Sequence, residues 1–203
     1  MLLSNQEILT TNTFSSGFNS DNFQQDIIYS LIIDIDGSVN LNSYEGSGYM
    51  IDIQNRPGRV GFPEVIESKI GNPRLVKFRE IETDRLLQIK GWDLKLGDQT
   101  FWNLYLMSFG SNINLNNLSL INTEIIGTGD INMGKNLNSG DIFISGNFNI
   151  YVDTSLPIVV IGSAEVPAGW IDATIGYLNQ TNENYKFKVI VEEGSNVVFQ
   201  NGE

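Results

Sequence analysis

The chain has no cysteine and no histidine among its 203 residues. Without cysteine there is no disulfide, zinc-thiolate site, iron–sulfur cluster or thiol nucleophile, and the redox character of the compartment is left open. Without histidine the usual general base at neutral pH, the Ser-His-Asp triad and imidazole metal ligation are all missing. Most familiar hydrolase mechanisms fall with them, and no cofactor is expected.

Positive charge is also scarce. Twelve Lys and Arg stand against 24 Asp and Glu, a net charge of -12. Phosphate affinity depends on counterion release by Lys and Arg, so a nucleic-acid partner is not expected. No apolar run approaches the ~20 residues that span a bilayer, which argues against membrane insertion. The start, Met1-Leu2-Leu3-Ser4-Asn5-Gln6-Glu7, lacks a basic stretch followed by an apolar one. It predicts no signal peptide and synthesis in the cytoplasm.

What is present is a chain that folds. Hydrophobic residues make up 41% and charged residues 18%, and a chain of this length buries roughly 70% of its unfolded surface without a staple. Residues 1–25 are rich in Ser, Thr, Asn and Gln with scattered apolar residues, and read as an N-terminal arm. From Ile27 onward apolar and polar residues alternate with period two, in Leu31-Ile33-Ile35, Trp92-Leu94-Leu96 and Tyr185-Phe187-Val189-Val191. The run from Phe101 to Met107 is apolar on both faces and predicts an interior strand.

Turn signals divide these strands. Asp36-Gly37 predicts a hairpin whose three-residue loop pairs Ile35 with Val39 and Ile33 with Leu41. Ser145-Gly146-Asn147 predicts another, with Ile142 and Ile144 facing Phe148 and Ile150. Glu193 to Asn196 turns into Val197-Val198-Phe199, while Ile158-Val159-Val160-Ile161 and Trp170–Tyr177 read as single strands. Pro63 at a first helical position makes Glu64 to Lys69 the one short helix. The sum is an all-β chain, an antiparallel β-sandwich or jelly roll with an arm and at most one short helix. Its regions are 1–25, 26–110 and 111–203, the last two forming one continuous sandwich or two.

After Gly110 the texture changes, and eleven residues between 103 and 149 are Asn. Gly129-Asp130-Ile131 and Gly140-Asp141-Ile142 recur eleven residues apart, but two copies of a three-residue word do not establish a solenoid.

No motif carries chemistry. Asp34-Ile35-Asp36-Gly37-Ser38-Val39-Asn40 spaces oxygens as calcium loops do, yet lacks the further ligand before the glycine and the closing Glu. Glu45-Gly46-Ser47-Gly48 lacks the spacing of a nucleophile elbow and the Lys of a phosphate loop. Two carboxylates hydrolyse glycosides without histidine, but 24 acids guarantee a pair somewhere and single out none.

Two non-catalytic functions are left. The first is a structural or assembly subunit, such as a component of a virion or phage tail, that contacts further copies or partner structural proteins. Its candidate contacts are Leu2, Leu3, Phe14 and Phe18 of the arm and Arg56, Arg59, Arg74, Lys77 and Arg79. These cations belong to a stretch, 56–95, with nine bases against six acids, while residues 96–203 carry three against eleven. The alternative is a carbohydrate-binding module with Trp102, Tyr105 and Trp170 as stacking surfaces and the Asn-rich loops as hydrogen-bonding partners.

Overall fold

Period-two alternation demands strands, and strands are what form. A computed structural model of the chain describes residues 10–16, 27–35, 37–55, 64–68, 70–79, 91–180 and 184–202. Among them every regular element is a strand. In chain order these are β1 (Thr10–Ser16), β2 (Ile28–Asp34), β3 (Val39–Tyr44), β4 (Tyr49–Asn55), β5 (Glu64–Glu67) and β6 (Arg74–Arg79). Next come β7 (Gly91–Gly97), β8 (Phe101–Asn114), β9 (Ser119–Met133), β10 (Asn138–Ser139) and β11 (Ile142–Asp153). The last are β12 (Ile158–Ile161), β13 (Ile171–Ala173), β14 (Gly176–Leu178), β15 (Phe187–Val191) and β16 (Asn196–Gly202).

The all-β expectation holds, but the strand directions differ from it. β8, β9 and β11 follow one another in sequence and pair in parallel. Parallel neighbours require the chain to return to its starting edge, usually through a helix. Here the return is the second half of each strand. β8 slips register between Ser108 and Ser111, β9 has positive-φ glycines at 127 and 129, and β11 has one at 146. At these corners the chain bends from one sheet into a second. A four-residue turn then closes the coil, with Leu118, Leu137 and Leu156 each donating its backbone N–H to the carbonyl three residues earlier. All three leucines are buried at 19-residue intervals. Each coil thus advances the chain by one strand spacing, about 4.8 Å.

The split elements are coils too. β2 and β3 run parallel to the two halves of β8, β6 and β7 parallel to β2 and β3, and β15 and β16 parallel to the two halves of β11. One long sheet therefore runs β5-β6-β2-β8-β9-β11-β15-β12-β14-β13, and the other runs β1-β4-β7-β3-β8-β9-β11-β16. Among the described residues, antiparallel strands occur only towards the ends of the stack, where β4, β1 and β5 cover one end and β14 and β13 the other.

The two sheets share one core, so the molecule has the two layers of a sandwich. Inward rows run in register along the stack. Val76, Leu31, Leu104, Thr123, Ile142, Val189 and Val160 form one row, and Leu94, Leu41, Ile113, Ile131, Ile150 and Phe199 form its counterpart on the second sheet. The layers touch where the Phe78 ring on β6 meets Tyr49 of β4 at 6.0 Å and Trp92 of β7 at 6.1 Å, both edge-on.

Several local expectations are corrected. The segment Glu64–Glu67 is a strand paired with β6, not a helix, because the backbone of β6 offers hydrogen bonds that a single isolated turn lacks. Neither Asp36-Gly37 nor Ser145-Gly146-Asn147 closes a hairpin. Ile33 pairs with Leu106 and Phe78, Leu41 pairs with Leu94 and Ile113, and β11 runs unbroken through Gly146. Trp170–Tyr177 is not one strand but the start of a hairpin between β13 and β14. The recurrence eleven residues apart is not the structural repeat, which is 18 to 19 residues as the register shows. The texture change at Gly110 falls inside β8 and marks a corner of the coil. Part of the expected arm, Thr10–Ser16, is a strand on β4.

Candidate functional site

In a strand successive side chains point to opposite faces, so each inward row implies an outward one. The outer faces of the two sheets differ in chemistry. On the second sheet Asn40, Asn112, Asp130 and Asn149 lie in register across four coils. Several of these groups bond to a neighbour in the same row or two residues along the strand. Asn149 Nδ2 donates to Asp130 Oδ1 at 2.9 Å, Asn40 Nδ2 to Asp93 Oδ1 at 3.1 Å, and Asn42 Nδ2 to Asn40 Oδ1 at 3.2 Å. An amide carries both donor and acceptor, so identical positions in stacked parallel strands satisfy each other. This is the physical origin of the Asn-rich texture.

The outer face of the first sheet sets exposed apolar and aromatic side chains beside polar ones. Phe101, Ile121 and Phe143 are each more than a third exposed, and Phe143 reaches 50%. One row along this face reads Lys77, Ile32, Tyr105, Glu124, Phe143, Ile190. Two residues away along the strands lies a second row, Ser30, Asn103 and Asn122. Asn122 Nδ2 donates to Asn103 Oδ1 at 2.9 Å, and Asn103 Nδ2 donates to Ser30 Oγ at 3.1 Å. The two rows border an open depression of about 340 Å³, whose lining includes Ser30, Ile32, Asn103, Tyr105, Asn122, Glu124 and Phe143.

Within it the Tyr105 phenol is pushed above its ordinary value, first by burial and then by the carboxylates of Glu124 and Asp34. It therefore keeps its proton, and remains a hydrogen-bond donor, well into alkaline solution. Among the described residues no group of three or more acids is placed to hold a metal ion.

The residues singled out from sequence are separated by the fold. Trp102 is fully buried, its indole Nε1 donating to the Gly97 carbonyl at 3.0 Å and its ring 5.4 Å from Tyr29. Its place in the core meets the expectation of an interior strand and removes it as a stacking surface. Trp170 is half-buried, packs on Phe199 at 5.6 Å and donates to Asn201 Oδ1 at 3.3 Å, near the far end of the stack. Only Tyr105 stands in the depression.

Arg74, Lys77 and Arg79 lie on β6 near the first end, with Arg79 paired to Glu64 at 2.8 Å. Leu2, Leu3, Phe18, Arg56 and Arg59 lie outside the described residues, and Phe14 sits in β1 opposite Ile51.

Sequence reading passed over Phe143, Glu124, Asn122 and Asn103. The signal that finds them is the 19-residue interval, which relates Tyr105 to Glu124 to Phe143 and Asn103 to Asn122.

No family model matches the chain, and no curated protein does. Among solved structures it is similar to a putative cell adhesion protein from Clostridium sporogenes ATCC 15579, with a TM-score of 0.68 and 14% identity over 96% of this chain and 100% of that one. A putative adhesin from Bacteroides fragilis NCTC 9343 matches at a TM-score of 0.34 and 11% identity, covering 96% of this chain and 97% of that one. The first likeness is one of fold.

Proposed function

We propose that the chain is a non-catalytic contact module, of the adhesin kind rather than a virion or tail component, which engages its target through the outer face of the first sheet. The observation that carries this reading is the asymmetry of the two outer faces. One carries a row of Asn and Asp, several of them bonded to one another. The other sets Ile32, Tyr105 and Phe143 in one row with Glu124, beside exposed Phe101 and Ile121, and exposed apolar side chains grouped on one face mark an interaction surface. Shared fold with a putative cell adhesion protein supports the reading, as does a composition without histidine or cysteine.

Contacts with further copies fit the same picture. The end that holds β5, β6 and β7 draws on the basic segment 56–95, and residues 158–203 at the other end carry six acids against two bases.

The experiment is binding of the purified chain to a printed array of glycans and extracellular-matrix proteins. Two double variants are compared with it, Phe101→Ser with Phe143→Ser on the first sheet and Asn112→Ser with Asn149→Ser on the second. Binding that the first pair abolishes and the second leaves intact is the expected result. Binding lost only with the second pair, or none by the parent chain, overturns the proposal.

A further inference from the structure

We infer that the depression between Tyr105 and Phe143 is a binding site for a neutral, extended oligosaccharide. The inference rests on the contact-module reading above and names the ligand of the same face.

The spacing argues first. Tyr105 and Phe143 are in register with Glu124 between them, so they stand two strand spacings apart, about 9.6 Å. That is roughly the reach of two linked pyranose rings. An extended glycan laid along the stack, across the strands, presents the C–H faces of alternate sugars to the two rings. Aromatic rings carry negative faces that attract such C–H groups, and they bring large contact area at little entropic cost.

The polar groups argue second. Sugar hydroxyls both donate and accept, and the depression offers both capacities. Asn122 spends its Nδ2 on Asn103, and among the described residues its Oδ1 has no donor. The Glu124 carboxylate is exposed and without an ion-pair partner among the same residues. These oxygens accept from hydroxyls, and the Tyr105 phenol donates. The Asn103–Asn122–Ser30 chain holds the Asn122 amide in one orientation, which reduces the ordering cost on binding.

The charge argues third. The lining holds one carboxylate and no cation, which disfavours uronates, sialic acids and sulfated sugars. An apolar peptide would leave Asn122 Oδ1 and Glu124 desolvated without donors, a cost that a polyhydroxylated ligand avoids.

The test is isothermal titration of the full chain with neutral tetra- to hexasaccharides of β1,4-linked glucose, mannose and N-acetylglucosamine, and with a polygalacturonate oligomer as the anionic comparison. Tyr105→Ala, Phe143→Ala, Asn122→Ala and Phe109→Ser are run beside the parent. Phe109, exposed at the corner where β8 leaves the first sheet, is outside the depression. Circular dichroism confirms that each variant is folded.

Expected is binding of at least one neutral series, weakened about tenfold or more by Tyr105→Ala and by Phe143→Ala, unchanged by Phe109→Ser, with no response to polygalacturonate. Neutral-sugar binding that survives both aromatic changes overturns the site. Absence of binding to every neutral series, while array binding to a matrix protein still depends on Phe101 and Phe143, overturns the glycan but leaves the contact module standing. Loss of both overturns both.

Discussion

Thr123 shows how finely a single residue is set by its row. It stands between Leu104 and Ile142 on the inner face, 2% exposed, and its hydroxyl has no hydrogen-bond partner. A buried polar group without a partner forfeits its hydration for nothing, so Thr123→Val is predicted to stabilise the chain by about 1 to 2 kcal/mol. A urea titration checks this, since a rise in the midpoint at unchanged slope reports a gain in stability. The same residue scale was partly legible in the sequence. Trp102 falls in a stretch apolar on both faces and is buried as that stretch implies. Phe143 gave no such signal, because an aromatic residue alternating with buried Ile142 and Ile144 identifies an outward position but not what that outward face is for.

At the scale of the element, the corners decide the fold. Gly146 has φ +121°, and a Cβ built there lies 2.0 Å from the carbonyl oxygen of Gly127 on the neighbouring coil. Gly146→Ala therefore meets both a backbone conformation rare for L-residues and a clash with main chain that cannot swing aside. The expected loss is about 2 to 5 kcal/mol, read as a fall in the thermal midpoint. Substitution with little effect would mean that the coils are not stacked at this corner.

The closing turns carry a pH signature. Asp153 Oδ1 accepts from the Ser155 hydroxyl at 2.6 Å and from its backbone N–H at 2.8 Å. The side-chain bond first, then the backbone bond, lowers the Asp153 pKa below the ordinary carboxylate value. A lowered folded-state pKa contributes stability that is present above the unfolded value and lost as pH falls through the folded one. Asp153→Asn is accordingly predicted to flatten the acid limb of the stability curve, measured by urea midpoints from neutral pH downward. An unchanged acid limb contradicts the turn's assigned role. These elements also explain the misread hairpins. A glycine corner between two alternating runs looks the same in sequence whether the chain folds back beside itself or turns into a second sheet. What distinguishes them is the partner of each run, and that partner lies one coil away, 18 or 19 residues along the chain.

For the whole molecule, strand content was legible and strand direction was not. Parallel pairing usually needs crossover helices, which the sequence does not offer, yet the bent strands β8, β9 and β11 are their own crossovers. The repeat escaped notice because its length varies between 18 and 19 and its conserved features are single residues, an inward leucine at each closing turn and an outward Asn or Asp. Coil stacking converts those isolated positions into continuous rows, and the rows give one face a line of Asn and Asp and the other exposed aromatic rings beside polar groups. Function, on this account, is a property of the face rather than of any one side chain.

The measurement that meets this claim most directly is an amide chemical-shift map of the isotopically labelled chain as the best array ligand is titrated in. The account predicts perturbations clustered at residues 30–32, 103–107, 122–126 and 143, with the row Asn40, Asn112, Asp130 and Asn149 silent. Perturbations centred on that row, or confined to the strands at either end of the stack, would contradict it.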